Sequence, residues 1–492
     1  MSDDFLTSEQ TENYGRYVAD PNEVQLARYF HLDERDLAFI NQRRGKHNRL
    51  GIALQLTTAR FLGTFLPDPL QIPSFIRFYI AAQLNISRPE ILSRYAEREN
   101  TRWEHQGLIK LYYDYHDFGD FPWTFRLKRL LYTRAWLSNE RPGLLFDFAT
   151  AWLLQNKILL PAASTLTRLI GEVRERASRR LWRRLALLPD SWQKTQLDGL
   201  LEIPEGQRIS VLEEMRKGPV TISGPSFTDA LERYTRLRSM EFSRLNFSGL
   251  PAIQLRNLAR YAGMASVKYI SRMPDERRLA VLTAFVKAQE ISALDEAVDV
   301  LDMLILDITR SAKNIGQKKR LRTLKDLDRA ALLLARACTL LLDENTDEAA
   351  LRQAIFRRIP KDKLAESVGK VNELARPQDT QFQDEMVEQY GRVKRFLSAM
   401  LRDLHFQAAP AGELTLSAIH YLAELSGSKK RILDDAPEQI ISGPWKRLVY
   451  DRDGRILRAG YSLCLLERLQ DSLRRRDLWL ENSDRWGDPR QK

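Results

Sequence analysis

The amino-acid sequence predicts an all-α, multidomain chain, a multidomain helical array with helix-turn-helix-like modules near its N-terminus. Three observations carry that prediction. Helix-start signatures recur along the chain, and apolar residues follow them at three- and four-residue spacing. Only one short stretch, near 448–457, reads as a possible β-hairpin. At 492 residues the chain exceeds what a single core can organise, so several domains are expected.

The first elements follow in order. Asp20-Pro21-Asn22-Glu23 combines an N-cap residue, a proline at the first helical position and an acid three residues beyond the cap, and Leu26, Tyr29 and Phe30 supply a core face. Asp33 with Asp36 starts a second helix. Asn48 is read as the cap of a third, running to about Gly63. Three short helices with tight turns make a unit of helix-turn-helix size. A second unit opens at Pro73, with Phe75, Ile76, Tyr79, Ile80 and Leu84, and turns at Asn85-Ile86. Ser87-Arg88-Pro89-Glu90 then reads as a capping box, and the helix it begins carries Arg94, Arg98 and Arg102 at four-residue spacing, with His105 just beyond. That spacing stacks the cations along one face. Glu97, Glu99 and Glu104 leave a plain ion-paired helix as the alternative.

Beyond a loop at 117–123, helices resume through Trp136 and Trp152, and Trp103, Trp123, Trp136 and Trp152 are assigned to core packing. Residues 168–184 hold seven arginines (Arg168, Arg174, Arg176, Arg179, Arg180, Arg183, Arg184) against Glu172 and Glu175, more charge than a helix can pair internally. Gly218-Pro219-Val220-Thr221-Ile222-Ser223-Gly224-Pro225 has linker composition. Another basic run follows at Lys313, Lys318, Lys319, Arg320, Arg322 and Lys325, then an acidic break at 343–348 and smaller basic clusters at 357–363 and 429–431. Val449-Tyr450 and Arg455-Ile456-Leu457, flanking Asp451-Arg452-Asp453-Gly454, form the candidate hairpin. The expected division is 1–162, an N-terminal helical DNA-binding domain; 163–225, a basic helix and linker; 226–342, a helical DNA-binding or scaffold domain; and 343–492, a helical scaffold or dimerisation region.

Charge narrows the function. The chain carries a net +12, which makes a polyanion the leading partner. The strongest local signal is Arg43-Arg44-Gly45-Lys46-His47-Asn48-Arg49, four cations in seven residues. It follows forty residues that hold nine acids and three arginines, and it runs straight into an amphipathic helix. An ordinary solvated helix start is the plainer alternative. No apolar run approaches the roughly 18 residues of a membrane span. Cys338 and Cys464, far apart, exclude a disulfide framework and a cysteine-based zinc module, and the acidic start MSDDFLTSEQ is no signal peptide. Histidines lack paired ligand spacing, and no P-loop, dinucleotide fingerprint or nucleophile elbow occurs. Asp295, Asp299 and Asp302, with Glu296 alongside, lie near one helical face and are read as a solvated acidic face rather than a Mg²⁺ site.

These residues resemble a known family. RRGKHNRLGIALQL at 43–56 followed by Arg60-Phe61-Leu62-Gly63, and Ala82-Gln83-Leu84-Asn85-Ile86 followed by Tyr95, Arg98, Thr101-Arg102 and His105, are similar to the N-terminal domain of Tn-three family transposases. Tyr461-Ser462-Leu463-Cys464-Leu465-Leu466-Glu467-Arg468-Leu469, Arg474-Arg475-Arg476-Asp477 and Ser483-Asp484-Arg485-Trp486-Gly487-Asp488-Pro489-Arg490 resemble the segment that precedes the family's catalytic domain. The resemblance implies recognition of transposon terminal inverted repeats by helical modules, a helical scaffold, and an RNase-H-like domain whose Asp-Asp-Glu triad holds Mg²⁺. No triad residue can be carried over to this sequence, which stops at Lys492 where that domain is expected to begin. The expectation is therefore a DNA-binding half, inactive alone and with no cofactor of its own. Its expected DNA contacts are Arg43, Arg44, Lys46, Asn48, Arg49, Arg94, Arg98, Arg102, His105, Arg174, Arg176, Arg179, Arg180, Arg183, Arg184, Lys318, Lys319 and Arg320. The expected partner is double-stranded DNA, with a homodimer left open and neither a membrane nor a small-molecule substrate; the expected location is the bacterial cytoplasm, at the nucleoid. Two alternatives remain: a stand-alone regulator that occupies transposon ends without cutting, and an unrelated helical scaffold for protein partners. Salt-dependent DNA binding separates the scaffold from the other two readings.

Overall fold

In the computed structural model, residues 5–97, 99–342, 351–374 and 382–491 are described. The acidic run at 343–348 and Arg98 lie outside them, as do the side chains of Arg320, Arg322 and Lys325. The chain forms two compact units, one of residues 1–188, 246–262 and 273–281, the other of 189–245, 263–272 and 282–492. Both are helical. No helix among the described residues is long and apolar enough to cross a membrane.

The first unit contains α1 (Ser8–Asn13), α2 (Glu23–Gln25, passing into a π turn at Leu26–Phe30), α3 (Glu34–Asn41), α4 (Lys46–Leu62), α5 (Ser74–Gln83), α6 (Leu92–Ala96), α7 (Glu99–Tyr113), α8 (Trp123–Leu137), α9 (Pro142–Gln155) and α10 (Ala163–Ala186). The α2 helix starts later than the sequence predicts: Asn22, not Asp20, is its cap, paired reciprocally with Gln25. Asp33 and Asp36 cap α3 as expected, each accepting from the other's backbone N–H. Asn48 does not cap α4. That helix begins at Lys46 behind Gly45, whose φ of 84° favours glycine, and it ends at Gly63 in the left-handed region.

Helix α4 organises this unit. Every residue from Leu50 to Ala59 is buried, because α3, α5, α6 and α7 all pack around it. Two polar devices fix the packing. Asp36, fully buried, receives both Nη atoms of Arg60 and, at 2.7 Å, the Tyr113 hydroxyl, which joins α3, α4 and α7. Burial alone would raise the Asp36 pKa; the bonds from Arg60 and Tyr113 outweigh it and hold the carboxyl below its ordinary range. The second device is a notch. A Cβ on Gly51 would stand 2.3 Å from Cδ1 of Tyr95, so only glycine admits that ring. One turn on, Gln55 Nε2 donates to the Tyr95 hydroxyl at 2.7 Å, leaving the hydroxyl proton for Nδ1 of buried His105, 3.1 Å away.

Helices α8, α9 and α10 build a second core from Leu127, Leu131, Leu145, Ala149, Leu166 and Ile170. The buried face of α10 recurs at Leu166, Ile170, Val173, Ala177, Leu181 and Leu185, which leaves its arginines on the opposite side. Trp136, Trp152 and Trp123 join these cores, but Trp103 is 67% exposed, contrary to its expected packing.

The second unit includes α11 (Ser191–Gly199), α12 (Val211–Met215), α13 (Gly224–Ser239) and the greater part of a helix at Asp275–Leu341. The glycine-proline run at 218–225 joins α12 to α13, with Arg233 donating to the Lys217 carbonyl. Further along, the helix at Arg458–Arg475 buries every residue from Gly460 to Leu466, including Cys464. The candidate hairpin exists in modified form. A Tyr450–Ile456 bridge closes the turn, while Ile456-Leu457 pairs antiparallel with Ile432-Leu433. A second antiparallel pair, Phe406–Ala408 with Leu478–Leu480, carries no sequence signal because three residues show no periodicity.

Replacing Arg60 by Met should destabilise the chain by about 3–5 kcal/mol in denaturant unfolding, because it strands the Asp36 carboxylate. Adding Asp36→Asn to it should recover a substantial part of that loss. The pH dependence has two parts. Asp36 contributes stability that is complete above its ordinary pKa of 3.8 and lost as pH falls through its lower folded value. Burial first, and the Arg43 charge second, push His105 from 6.5 down to about 4. Below pH 6.5 the unfolded chain therefore takes a proton that the folded chain refuses, so Tm should decline from pH 6.5 toward about 4. His105→Gln should flatten that decline.

Candidate nucleic-acid interface

The turn between α3 and α4 divides its polar residues between two tasks. Arg49 donates from Nε to the Arg43 carbonyl at 3.0 Å and from Nη2 to the Asn41 carbonyl at 3.2 Å, and Asn48 donates to the Arg44 carbonyl at 2.9 Å. These bonds sew the turn together. Arg43 lies over the Phe39 ring at 5.6 Å and donates to Gln42. Arg44 and Lys46 point into solvent, and no side-chain partner holds them among the described residues. Cations at a helix N-terminus oppose its dipole, so their placement favours an external anion rather than the helix itself.

The predicted single helix carrying Arg94, Arg98, Arg102 and His105 is broken. Pro89–Ile91 is a 3₁₀ turn and Arg88 makes no side-chain cap, so the Ser87 capping box does not form. The α6 helix ends at Ala96, and α7 starts afresh at Glu99. The reason is the contact between Tyr95 and His105: ten residues of continuous helix would separate them by roughly 15 Å. Their rings instead stack with centroids 5.5 Å apart. No glycine or proline between Glu90 and Gln106 announces the break. Arg94 is exposed, whereas Arg102 is half-buried and donates to the Pro67 carbonyl at 2.5 Å. His105 is turned inward as a packing residue whose Nδ1 meets the Tyr95 hydroxyl, and burial favours its neutral form.

On α10 the arginines stay largely outside. Arg176, Arg179, Arg180, Arg183 and Arg184 are exposed and Arg174 is half-buried. Arg179 pairs with Glu175 at 2.5 Å, Arg180 donates to the Tyr132 hydroxyl at 3.1 Å, and Arg184 donates to the Gly249 carbonyl at 3.2 Å. Arg174, Arg176 and Arg183 have no ion pair or side-chain hydrogen bond among the described residues. Against this face stands α8, whose exposed Lys128 and Arg129 were not picked out in the sequence. Their signal was available: both fall between the buried positions Leu127 and Leu131, on the outer side of the helix.

In the second unit, Lys319 is tied to Glu385 at 3.2 Å and Glu388 at 3.0 Å, which makes it a tertiary tether, while Lys318 is exposed. The acidic face of the Asp275–Leu341 helix is likewise occupied. Asp295 accepts from Ser483 and from the Arg485 backbone, and Asp299 from Arg485 and, at 2.9 Å, from Trp486 Nε1. Asp302 accepts from Gln470 and Arg474. These carboxylates dock the 470–486 segment. Among the described residues no group of three or more His, Cys, Asp or Glu side chains has metal-holding geometry.

Residues 5–173 match the model of a domain of unknown function, DUF4158. The transposase for transposon gamma-delta of Escherichia coli is 78% identical over 492 residues, all of this chain and 49% of that protein. The transposase for transposon Tn501 of Pseudomonas aeruginosa is 29% identical over 94% of the chain and 47% of its own length. That for transposon Tn1546 of Enterococcus faecium is 27% identical over 99% and 49%. The chain spans about half the length of these curated relatives. Similarity to these transposases runs from one end of the chain to the other, and the motifs at 43–63 and 461–490 that resemble the Tn-three family fall within it.

Proposed function

We propose that this chain is the DNA-recognition and scaffold portion of a replicative transposase and binds the terminal inverted repeats of a transposon. The observation that carries the reading is the outward face of α10, where Arg174, Arg176 and Arg183 have no ion pair or side-chain hydrogen bond among the described residues while the opposite face fills a core. Such charge suits phosphates, which need no sequence-specific geometry. Arg44 and Lys46 at the start of α4 add a second phosphate contact. Arg94, exposed on a short helix, is the candidate for base reading. Arg49, Arg102, His105 and Lys319 act from behind, holding the elements that carry the exposed cations.

The test is equilibrium binding of a terminal-repeat duplex and a random duplex across a salt series. Affinity should fall steeply with salt, and a log–log slope of magnitude below about 2 would defeat an extended phosphate footprint. Arg176→Ala or Arg183→Ala should weaken both duplexes about equally and flatten the slope by roughly one unit. Arg94→Ala should cost about 1–3 kcal/mol on the terminal repeat alone, narrowing the specific-to-random ratio. Arg102→Ala should lower Tm before it changes that ratio.

A further inference from the structure

Between α8 and α10 lies a cavity of about 620 Å³ whose lining combines two chemistries. Lys128, Arg129, Arg176 and Arg180 supply four cations against one acid, Glu172, which stands 3.9 Å from Arg168. Phe125 and Tyr132 supply two aromatic rings. Phe125 is 61% exposed, so its ring is not serving the core beneath it. Tyr132 is held by the bond from Arg180, whose guanidinium also lies 5.2 Å from the Trp136 ring centroid. The volume falls in the range of small-ligand sites, roughly 300–1,000 Å³.

An intact duplex has no use for such rings. Its phosphates and base edges are accessible, but its base faces are covered by neighbouring bases. A ring surrounded by cations meets a matching ligand only when a base has left the stack, so that one face lies on the aromatic and the flanking phosphates reach the cations. We infer that the α8–α10 groove binds an unpaired nucleotide of DNA, with Phe125 as the stacking platform, Tyr132 as a side wall, and Lys128, Arg129 and Arg176 on the adjoining phosphates. This rests on the proposed DNA-binding reading and gives it a specific substrate form: a duplex with a single-stranded or extruded nucleotide.

The experiment compares a paired duplex with the same duplex carrying a short single-stranded tail, at one salt concentration and with the full 492-residue chain. The tailed DNA should bind about tenfold more tightly, the scale of one base stacked on an aromatic side chain. Phe125→Ala should erase that preference and leave paired-duplex affinity unchanged, while Phe125→Trp should retain it. A photoreactive base in the tail should crosslink to the peptide containing Phe125. Equal affinity for both DNAs, or a tail preference that survives Phe125→Ala, would overturn the inference. So would saturable binding of free ATP in the groove without any tail preference. Failure of the paired duplex to bind at all would instead remove the DNA-binding reading.

Discussion

The buried carboxylate of Asp36 is the constraint around which the helices carrying the basic turn of the first unit are arranged. A charge with no water must be answered within the protein, and here the answer comes from two other helices, through Arg60 and Tyr113. The register of α3, α4 and α7 is thereby fixed at one point. The Gly51 notch fixes α6 against α4 at another. Between them lies the turn that projects Arg44 and Lys46, which Arg49 ties back to the Asn41 and Arg43 carbonyls at the end of α3. Exposed cations on a loose loop would sacrifice conformational entropy on meeting a phosphate. Here the backbone beneath them has already lost it in folding.

Much of this was legible in the sequence where local chemistry decides structure. The reciprocal cap at Asp33 and Asp36, the apolar run of α4 and the two-faced pattern of α10 each follow from spacing alone. The break between α6 and α7 was not legible, because a contact ten residues apart forces it and no breaker residue marks it. The partners of charged groups were equally hidden. The sequence reads Arg102 and Lys319 as DNA contacts and the aspartates of the Asp275–Leu341 helix as a solvated face, yet each meets a partner 35 to 190 residues away. Arg126, Lys128 and Arg129 are three cations in four residues, and what the sequence hides is that Lys128 and Arg129 share a groove with the arginines of α10, about fifty residues away.

Sequence counts of basic residues therefore overstate what is available to a polyanion and misplace it. Arginines that cluster in sequence serve three ends here: sewing a turn, tethering a neighbouring helix, and facing outward. The division follows burial of the backbone carbonyl each could reach. Arg49 and Arg102 lie beside carbonyls left unpaired by turns, and they satisfy them. Arg176 and Arg183 lie along a regular helix whose carbonyls are already bonded, so they have nothing to satisfy but solvent or a ligand.

The cations that open α4 carry a cost of another kind. Arg44 and Lys46 sit where the helix dipole is positive, so the free protein holds a small electrostatic frustration at that point, of order 0.3–1 kcal/mol per charge. An anion docking there removes it. Selection for stability alone would exchange these residues for aspartate or serine, whereas an anion partner would favour keeping them. The start of α4 is thus a place where thermal robustness and affinity pull in opposite directions, and a consensus design that maximised the first would quietly discard the second.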